Sequence, residues 1–214
     1  MIIGLTGNSG CGKSRVADIM RDDYGAFVID ADKVGHEVLL RSGKAYAETV
    51  AEFGGGILNA GGEINRRKLG ALIFGDETLR SRLIEITHKY IVEEMLTRVE
   101  RARNDYPHVV MDAPLLIEAG LHEHSDAVWL VWAPPEQRLA RIIARDGLTE
   151  AEALKRIGSQ TGFDELKKYA DAVIDNSKGL EELRAEVEGW YAAAGECVPA
   201  LRSLPDFELP SVPG

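Results

Sequence analysis

Cysteine is scarce in this 214-residue chain: Cys11 and Cys197 stand far apart, with no metal-ligand spacing between them. A disulfide framework and a cysteine-based metal site are thereby excluded, and a reduced, cytosolic protein is the expectation. Cations are the minority charge, with 25 Lys and Arg against 35 Asp and Glu and a formal net charge of −10. Nucleic acid and anionic membranes select for clustered Lys and Arg, so neither is an expected partner, and any anion site must be local. Long apolar runs are missing as well. No stretch is long enough to span a bilayer, and the opening Met1-Ile2-Ile3-Gly4-Leu5-Thr6 is too short for a signal-peptide core. Proline is sparse until Pro199, Pro205, Pro210 and Pro213, so residues 199–214 read as an extended or disordered tail.

What is present is enough apolar residue, 45%, for one substantial core. Short β-branched runs recur at Ile2–Thr6, Phe27–Ile29, Val109–Met111, Ala127–Trp132 and Ala172–Ile174, most followed by a helical pattern. Such alternation predicts an α/β fold, a five-stranded parallel sheet flanked by helices. The runs are continuously apolar, as strands buried on both faces are. Between the second and third runs the period changes. Leu79, Leu83, Ile86, Tyr90, Ile91, Met95 and Val99 recur at mostly helical spacing, predicting a long amphipathic helix from about Asp76 to Asn104. With Glu48–Phe53 and an Asn65-capped stretch Arg66–Phe74 it forms a helical insertion, placed to cover a substrate. Thr149-Glu150-Ala151-Glu152 fits a capping box, so a fresh helix is expected over Glu150–Ser159, after the Asp146-Gly147 break.

Gly7-Asn8-Ser9-Gly10-Cys11-Gly12-Lys13-Ser14 matches G-x-x-x-x-G-K-[ST], directly after the first strand and directly before the helical pattern of Ser14–Asp23. Glycines let backbone N–H groups converge on phosphates, and the helix N-terminus adds positive partial charge. Lys13 then reaches the β/γ-oxygens of ATP, and the Ser14 hydroxyl is a ligand for Mg²⁺. Asn8, Ser9, Gly10, Cys11, Gly12, Lys13, Ser14 and Arg15 are the expected ATP contacts. Cys11 reads as a small residue at a variable loop position rather than as a reactive thiol.

Asp112 ends the third run, at the strand edge where ligands of open α/β sheets bind, and reads as the acid that positions Mg²⁺ through water. Asp30 and Asp32 flank Ala31 just past the second run. One is suited to cap the next helix and the other to take the proton of an acceptor hydroxyl, and spacing leaves the choice open. Arg138, Arg141 and Arg145 share a helical stretch, followed by Arg156, Lys167 and Lys168. Forked guanidinium groups there suit the charge that spreads over a phosphoryl group in transfer, on a lid that closes and excludes water.

The chain resembles the dephospho-CoA kinases from about Ile3 to Tyr191. The resemblance is carried by Val28-Ile29-Asp30-Ala31-Asp32 with His36-Glu37-Val38, Ile64-Asn65-Arg66, the pair Ile86 and His88, and Asp112-Ala113-Pro114-Leu115-Leu116-Ile117-Glu118. It continues through Arg145-Asp146-Gly147, Ser159-Gln160 and Ala170-Asp171-Ala172-Val173-Ile174-Asp175-Asn176. It implies a P-loop kinase with a core at about 1–32 and 106–198, a helical substrate insertion at about 33–105 and a lid at about 141–170. It implies ATP-dependent phosphorylation of the ribose 3′-hydroxyl of dephospho-CoA, with ATP and Mg²⁺ as cofactors and a monomer or weak homo-oligomer as the working form. By the same resemblance Asp32, Lys13 and Arg141 are catalytic, and Asp32, Arg66, His88, Asp112 and Leu115 face the acceptor. Arg145 contacts ATP, and the segment Asn176 to Gly179 borders its adenine. Two departures stand out: Arg15 where the family usually has Thr, and Lys89 where Pro usually follows the His. The rival readings are another small-molecule or nucleoside monophosphate kinase and a non-catalytic nucleotide switch. The chain has no Asn-Lys-x-Asp segment of the kind that reads guanine.

Overall fold

A computed structural model describes residues 1–196. Cys197 and the expected tail at 199–214 lie outside the described residues. The strands are β1 (Ile2–Thr6), β2 (Phe27–Asp30), β3 (Val109–Asp112), β4 (Ala127–Trp132) and β5 (Ala172–Asp175), ordered β2-β3-β1-β4-β5 in one sheet. β1 pairs in parallel with both β3 and β4, and β4 with β5. The apolar runs are explained by burial on both faces: all of β3 and all but the last residue of β4 are buried. Strand order reverses at β1, which is where an open parallel sheet of this kind offers a ligand crevice at its carboxyl edge.

The helices are α1 (Lys13–Tyr24), α2 (Ala31–Glu37), α3 (Tyr46–Phe53), α4 (Arg66–Ile73), α5 (Glu77–Ala102), α6 (Pro135–Asp146), α7 (Glu150–Gly158), α8 (Phe163–Lys167) and α9 (Leu180–Glu196). Among the described residues, none is long and apolar enough to cross a membrane. The predicted boundaries shift by one or two residues at most of these helix ends. α4 stops at Ile73, leaving Phe74 extended and 89% exposed, and α5 ends at Ala102 rather than Asn104.

The chain divides into two compact units, one of Met1–Val28 with the chain from Ala102 onward, the other of Ile29–Arg101. In the sheet unit, Ile3, Leu5, Val110, Trp129 and Ile174 pack with Val16, Ile19 and Met20 of α1 and Leu183 and Val187 of α9. The result is a core holding α1, and the loop before it, against the middle of the sheet. α6 ends on Gly147 in the left-handed conformation (φ 65°), and α7 opens with the capping box: Glu152 N–H donates to Thr149 Oγ1 while Thr149 N–H donates to Glu152 Oε2.

The helical unit is organised along α5, a 26-residue helix about 39 Å long at 1.5 Å per residue. Ile86, Met95 and Val99 form its buried stripe. Charged side chains tie it to α2 and α3: Lys89 and the Tyr90 hydroxyl both reach Glu48, Arg82 pairs with Glu52 at 3.2 Å, and Arg98 pairs with Glu37. Lys89 therefore leaves α5 unbroken where proline would interrupt it, and its ammonium holds the Glu48 carboxyl below the usual carboxylate range.

Trp129 is the largest fully buried side chain. Its replacement by Ala leaves a cavity in the middle of the sheet and should cost about 3–5 kcal/mol of stability. Urea unfolding followed by circular dichroism measures this; a midpoint equal to wild type would contradict the described core.

Candidate active site

The loop of residues 7–12 leaves β1 in the centre of the sheet and runs into α1. Its glycines are required by close approach. A Cβ on Gly7 would lie 2.6 Å from the Val131 carbonyl oxygen, and one on Gly12 only 2.0 Å from Asn176 Nδ2, at a φ of +90° that side chains rarely adopt. The loop is drawn that tightly because side chains from elsewhere bond its carbonyls. Arg138 Nε donates to Ser9 O at 3.0 Å, Asn176 Nδ2 to Cys11 O at 2.7 Å, and Arg141 Nη1 to Gly10 O and Cys11 O at 3.2 and 3.4 Å. Carbonyls engaged by such donors are turned away from a ligand, which suits a loop that must present N–H groups to phosphate.

Arg141 also donates from Nη2 to the Asn176 carbonyl at 3.0 Å and to Gln137 Oε1 at 3.1 Å. Its terminal amino groups are thus engaged by neutral acceptors, and a phosphoryl oxygen would have to displace one of them. Arg138 is half-buried, and burial pushes its guanidinium below the ordinary arginine range. Its contacts are neutral too, Ser9 O and Gln160 Oε1. A partly desolvated cation with neutral neighbours is costly until an anion arrives. Arg145, by contrast, binds the adjacent Asp146 at 2.7 Å, with a longer reach of 3.4 Å to Ser9 Oγ. Asp146 also pairs with Arg156 and is held below the usual carboxylate range, first by Arg145.

Residues beyond α7 reach the same loop. Gln160 Oε1 accepts from the Ser9 N–H at 3.2 Å, and Asn8 Nδ2 donates to Thr161 O at 3.1 Å. Gln160 and Thr161 were absent from the expected site, as was Gln137. Arg138 had entered only as a member of a basic helix face. The spacing of the arginines was visible in sequence, and Gln160 stood in the family-like pair Ser159-Gln160, but neither signal named the loop as the partner.

Lys13 forms an ion pair with Asp112, and only 13% and 8% of the respective side chains are exposed. Register explains the meeting: Asp112 lies beside Leu5, just upstream of the loop. Ser14 is exposed in the first turn of α1. Among the described residues, no group of three or more His, Cys, Asp or Glu is assembled to hold a metal ion. A hydroxyl and one nearby carboxylate do fit Mg²⁺ in a phosphotransferase, where this ion takes its remaining ligands from phosphates and water. Cys11 is buried, and that burial raises its thiol above the usual range, agreeing with a packing rather than a reactive role. Leu115 follows β3 and is 56% exposed, next to the fully buried Leu116. Gly179 accepts the Leu183 N–H in the opening turn of α9, and Asn176 is buried.

The remaining expected residues belong to the helical unit. Asp30 caps α2, its Oδ1 accepting from the N–H groups of Asp32 and Lys33 at 2.9 and 3.1 Å, which leaves the exposed Asp32 carboxylate without a capping task. Arg66 is the first residue of α4, exposed, behind the Asn65 cap. His88 is half-buried on α5.

The dephospho-CoA kinase family model matches residues 1–182. A dephospho-CoA kinase of Symbiobacterium thermophilum is 42% identical over 196 residues, covering 91% of this chain and 82% of the relative. A solved structure from Thermus thermophilus superposes with a TM-score of 0.73 at 33% identity, over 90% of this chain and 97% of its own. The dephospho-CoA kinase from Campylobacter jejuni superposes with a TM-score of 0.69 at 25% identity, over 91% and 97%.

Gly12→Ala should abolish ADP binding in calorimetric titration while circular dichroism keeps the wild-type spectrum, because the added methyl displaces Asn176 from the loop. In a Cys197→Ser background, Cys11 should react with iodoacetamide at pH 8 at least about 10-fold more slowly than free cysteine and react fully in urea, since a raised thiol pKa leaves less thiolate at that pH. Fast alkylation of the folded protein would reverse the assignment of Cys11.

Proposed function

This chain belongs to the dephospho-CoA kinase family, and on that premise we propose the ribose 3′-hydroxyl of dephospho-CoA as the site of phosphorylation and the side chains below as the machinery. The reaction is ATP-dependent phosphorylation of dephospho-CoA in CoA biosynthesis. The observation that carries this reading is the family match, which spans both the phosphate loop and the helical unit.

In the proposed mechanism the triphosphate sits on the N–H groups of the loop and on the start of α1, and Lys13 exchanges part of its contact with Asp112 for β- and γ-oxygens. Mg²⁺, held by Ser14 and through water by Asp112, would neutralise phosphate charge. Asp32 orients the 3′-hydroxyl and takes its proton as oxygen bonds to the γ-phosphorus and the bond to the β-phosphate oxygen breaks, releasing ADP. Its freedom from capping α2 supports that choice over Asp30. Arg141 supplies charge to the moving phosphoryl group by exchanging a neutral acceptor for it. Arg138, a cation already partly desolvated beside the loop, is suited to the same charge. Arg145 and the segment Asn176 to Gly179 border the nucleotide, while Arg66, His88 and Leu115 contact the acceptor. The helical unit is the acceptor-binding part, and residues 141–170, from within α6 to just past α8, form the lid. Two cysteines without disulfide spacing support a cytoplasmic setting. The working form is a monomer or weak homo-oligomer.

Coupled ADP release with and without dephospho-CoA tests the reading, with nucleoside monophosphates as competing acceptors. Release stimulated only by the monophosphates would overturn it. Asp32→Asn should lower kcat by about 10²–10⁴ while calorimetric ATP affinity stays within twofold. Unchanged turnover would remove Asp32 from its role.

A further inference from the structure

Gln137 lies on α6 one turn before Arg141, so the two half-buried side chains share a face of the helix. The Gln137 amide is used at both ends. Its Oε1 accepts from Arg141 Nη2 at 3.1 Å, and its Nε2 donates to the Ser177 carbonyl at 2.9 Å, 40 residues further along the chain. Arginine can only donate and a carbonyl can only accept, so these two partners allow the amide one orientation.

The Arg141 guanidinium is held unevenly. Nη1 donates to Gly10 O at 3.2 Å and Cys11 O at 3.4 Å, both long, while Nη2 donates to Asn176 O at 3.0 Å and to Gln137 Oε1. A terminal amino group carries two N–H bonds, so Asn176 and Gln137 together fill Nη2. Three of the four acceptors are main-chain carbonyls, fixed by the phosphate loop and the end of β5. Gln137 is the one side chain among them, and with it Nη2 is the anchored end and Nη1 the end most easily released.

Charge gives the choice of glutamine a meaning. A carboxylate at the same position would hold Nη2 as well, as an i,i+4 ion pair, but would offset the cation. The same helix shows that alternative one turn later, where the exposed Arg145 is bonded to Asp146 at 2.7 Å. An amide orients the guanidinium and leaves its charge available to an anion.

We propose that Gln137 is a positioning residue for phosphoryl transfer: it anchors Arg141 Nη2 without neutralising it, so that Nη1 exchanges its loop carbonyls for the transferred group. Through the Ser177 carbonyl it also ties that arginine to the segment placed beside the nucleotide. This rests on the role given to Arg141 above and deepens it.

The test is steady-state ADP release at saturating dephospho-CoA, with calorimetric titration of Mg·ADP, on the full chain. The variants are Gln137→Met, Gln137→Glu, Arg141→Met and the double variant Gln137→Met with Arg141→Met, each assayed below its measured melting temperature. Gln137→Met should lower kcat about 10-fold, the scale of a lost hydrogen bond to a charged group, and change ADP affinity by no more than about threefold. Gln137→Glu, isosteric but anionic, should lower kcat further than Gln137→Met does. In the Arg141→Met background Gln137→Met should alter kcat by less than about twofold, because a residue that acts through Arg141 has nothing left to position. Unchanged kcat in Gln137→Met, wild-type turnover in Gln137→Glu, a loss confined to ADP affinity, or additive losses in the double variant would each overturn the proposal and leave Arg141 in its role. Unchanged kcat in Arg141→Met would instead remove Arg141 from the mechanism, and the proposal with it.

Discussion

The set of hydrogen bonds from Arg138, Arg141 and Asn176 to carbonyls of the phosphate loop is the interaction on which the rest of the sheet unit depends. A loop that presents N–H groups to an anion must send its carbonyls elsewhere, and buried carbonyls left unbonded are costly. Here the loop's carbonyls at Ser9, Gly10 and Cys11 are met by donors from α6 and from the end of β5. The price of that fit is sequence freedom: Gly12 has no room for even a methyl group beside Asn176.

Charge follows from the same arrangement. A chain with a net charge of −10 cannot attract a triphosphate through its overall field, so the attraction must be short-ranged. The structure concentrates Lys13, Arg138 and Arg141 around one loop and holds the first against Asp112. Neutral acceptors, rather than carboxylates, meet Arg138 and Arg141. Cations held by amides and carbonyls keep their full charge for a ligand, whereas Arg145, bonded to Asp146, has part of its charge already offset.

The helical unit solves a separate problem, that of keeping a long helix ordered on a modest core. α5 buries only a narrow stripe, and ion pairs from Lys44, Arg82, Lys89 and Arg98 to Glu93, Glu52, Glu48 and Glu37 line its exposed sides. Such exposed pairs contribute little each, and their regular placement gives register more than stability. At the start of the same unit two neighbouring aspartates divide their work. Asp30 satisfies the N–H groups at the head of α2, and Asp32 keeps an exposed carboxylate that has no capping task.

Much of this was legible in the residues. Continuous apolar runs marked every strand, and in β3 and β4 burial on both faces explains why no alternation was needed. Asn65 and Thr149 announced helix starts, because a cap is a local bond between residues two or three apart. The glycine-rich loop declared its chemistry for the same reason: strand, turn and helix follow one another along the chain. What lay beyond reach was whatever joins distant segments. Nothing near Gln160 or Thr161 indicated a contact with Ser9 or Asn8, and Asn176 gave no sign that its amide would bond Cys11. Spacing alone also could not separate Asp30 from Asp32. Sequence by itself determined the elements and the loop, which depend on short-range sterics and periodicity. Tertiary structure alone decided which donors brace that loop, because residues far apart in the chain meet only when the sheet stacks their strands side by side.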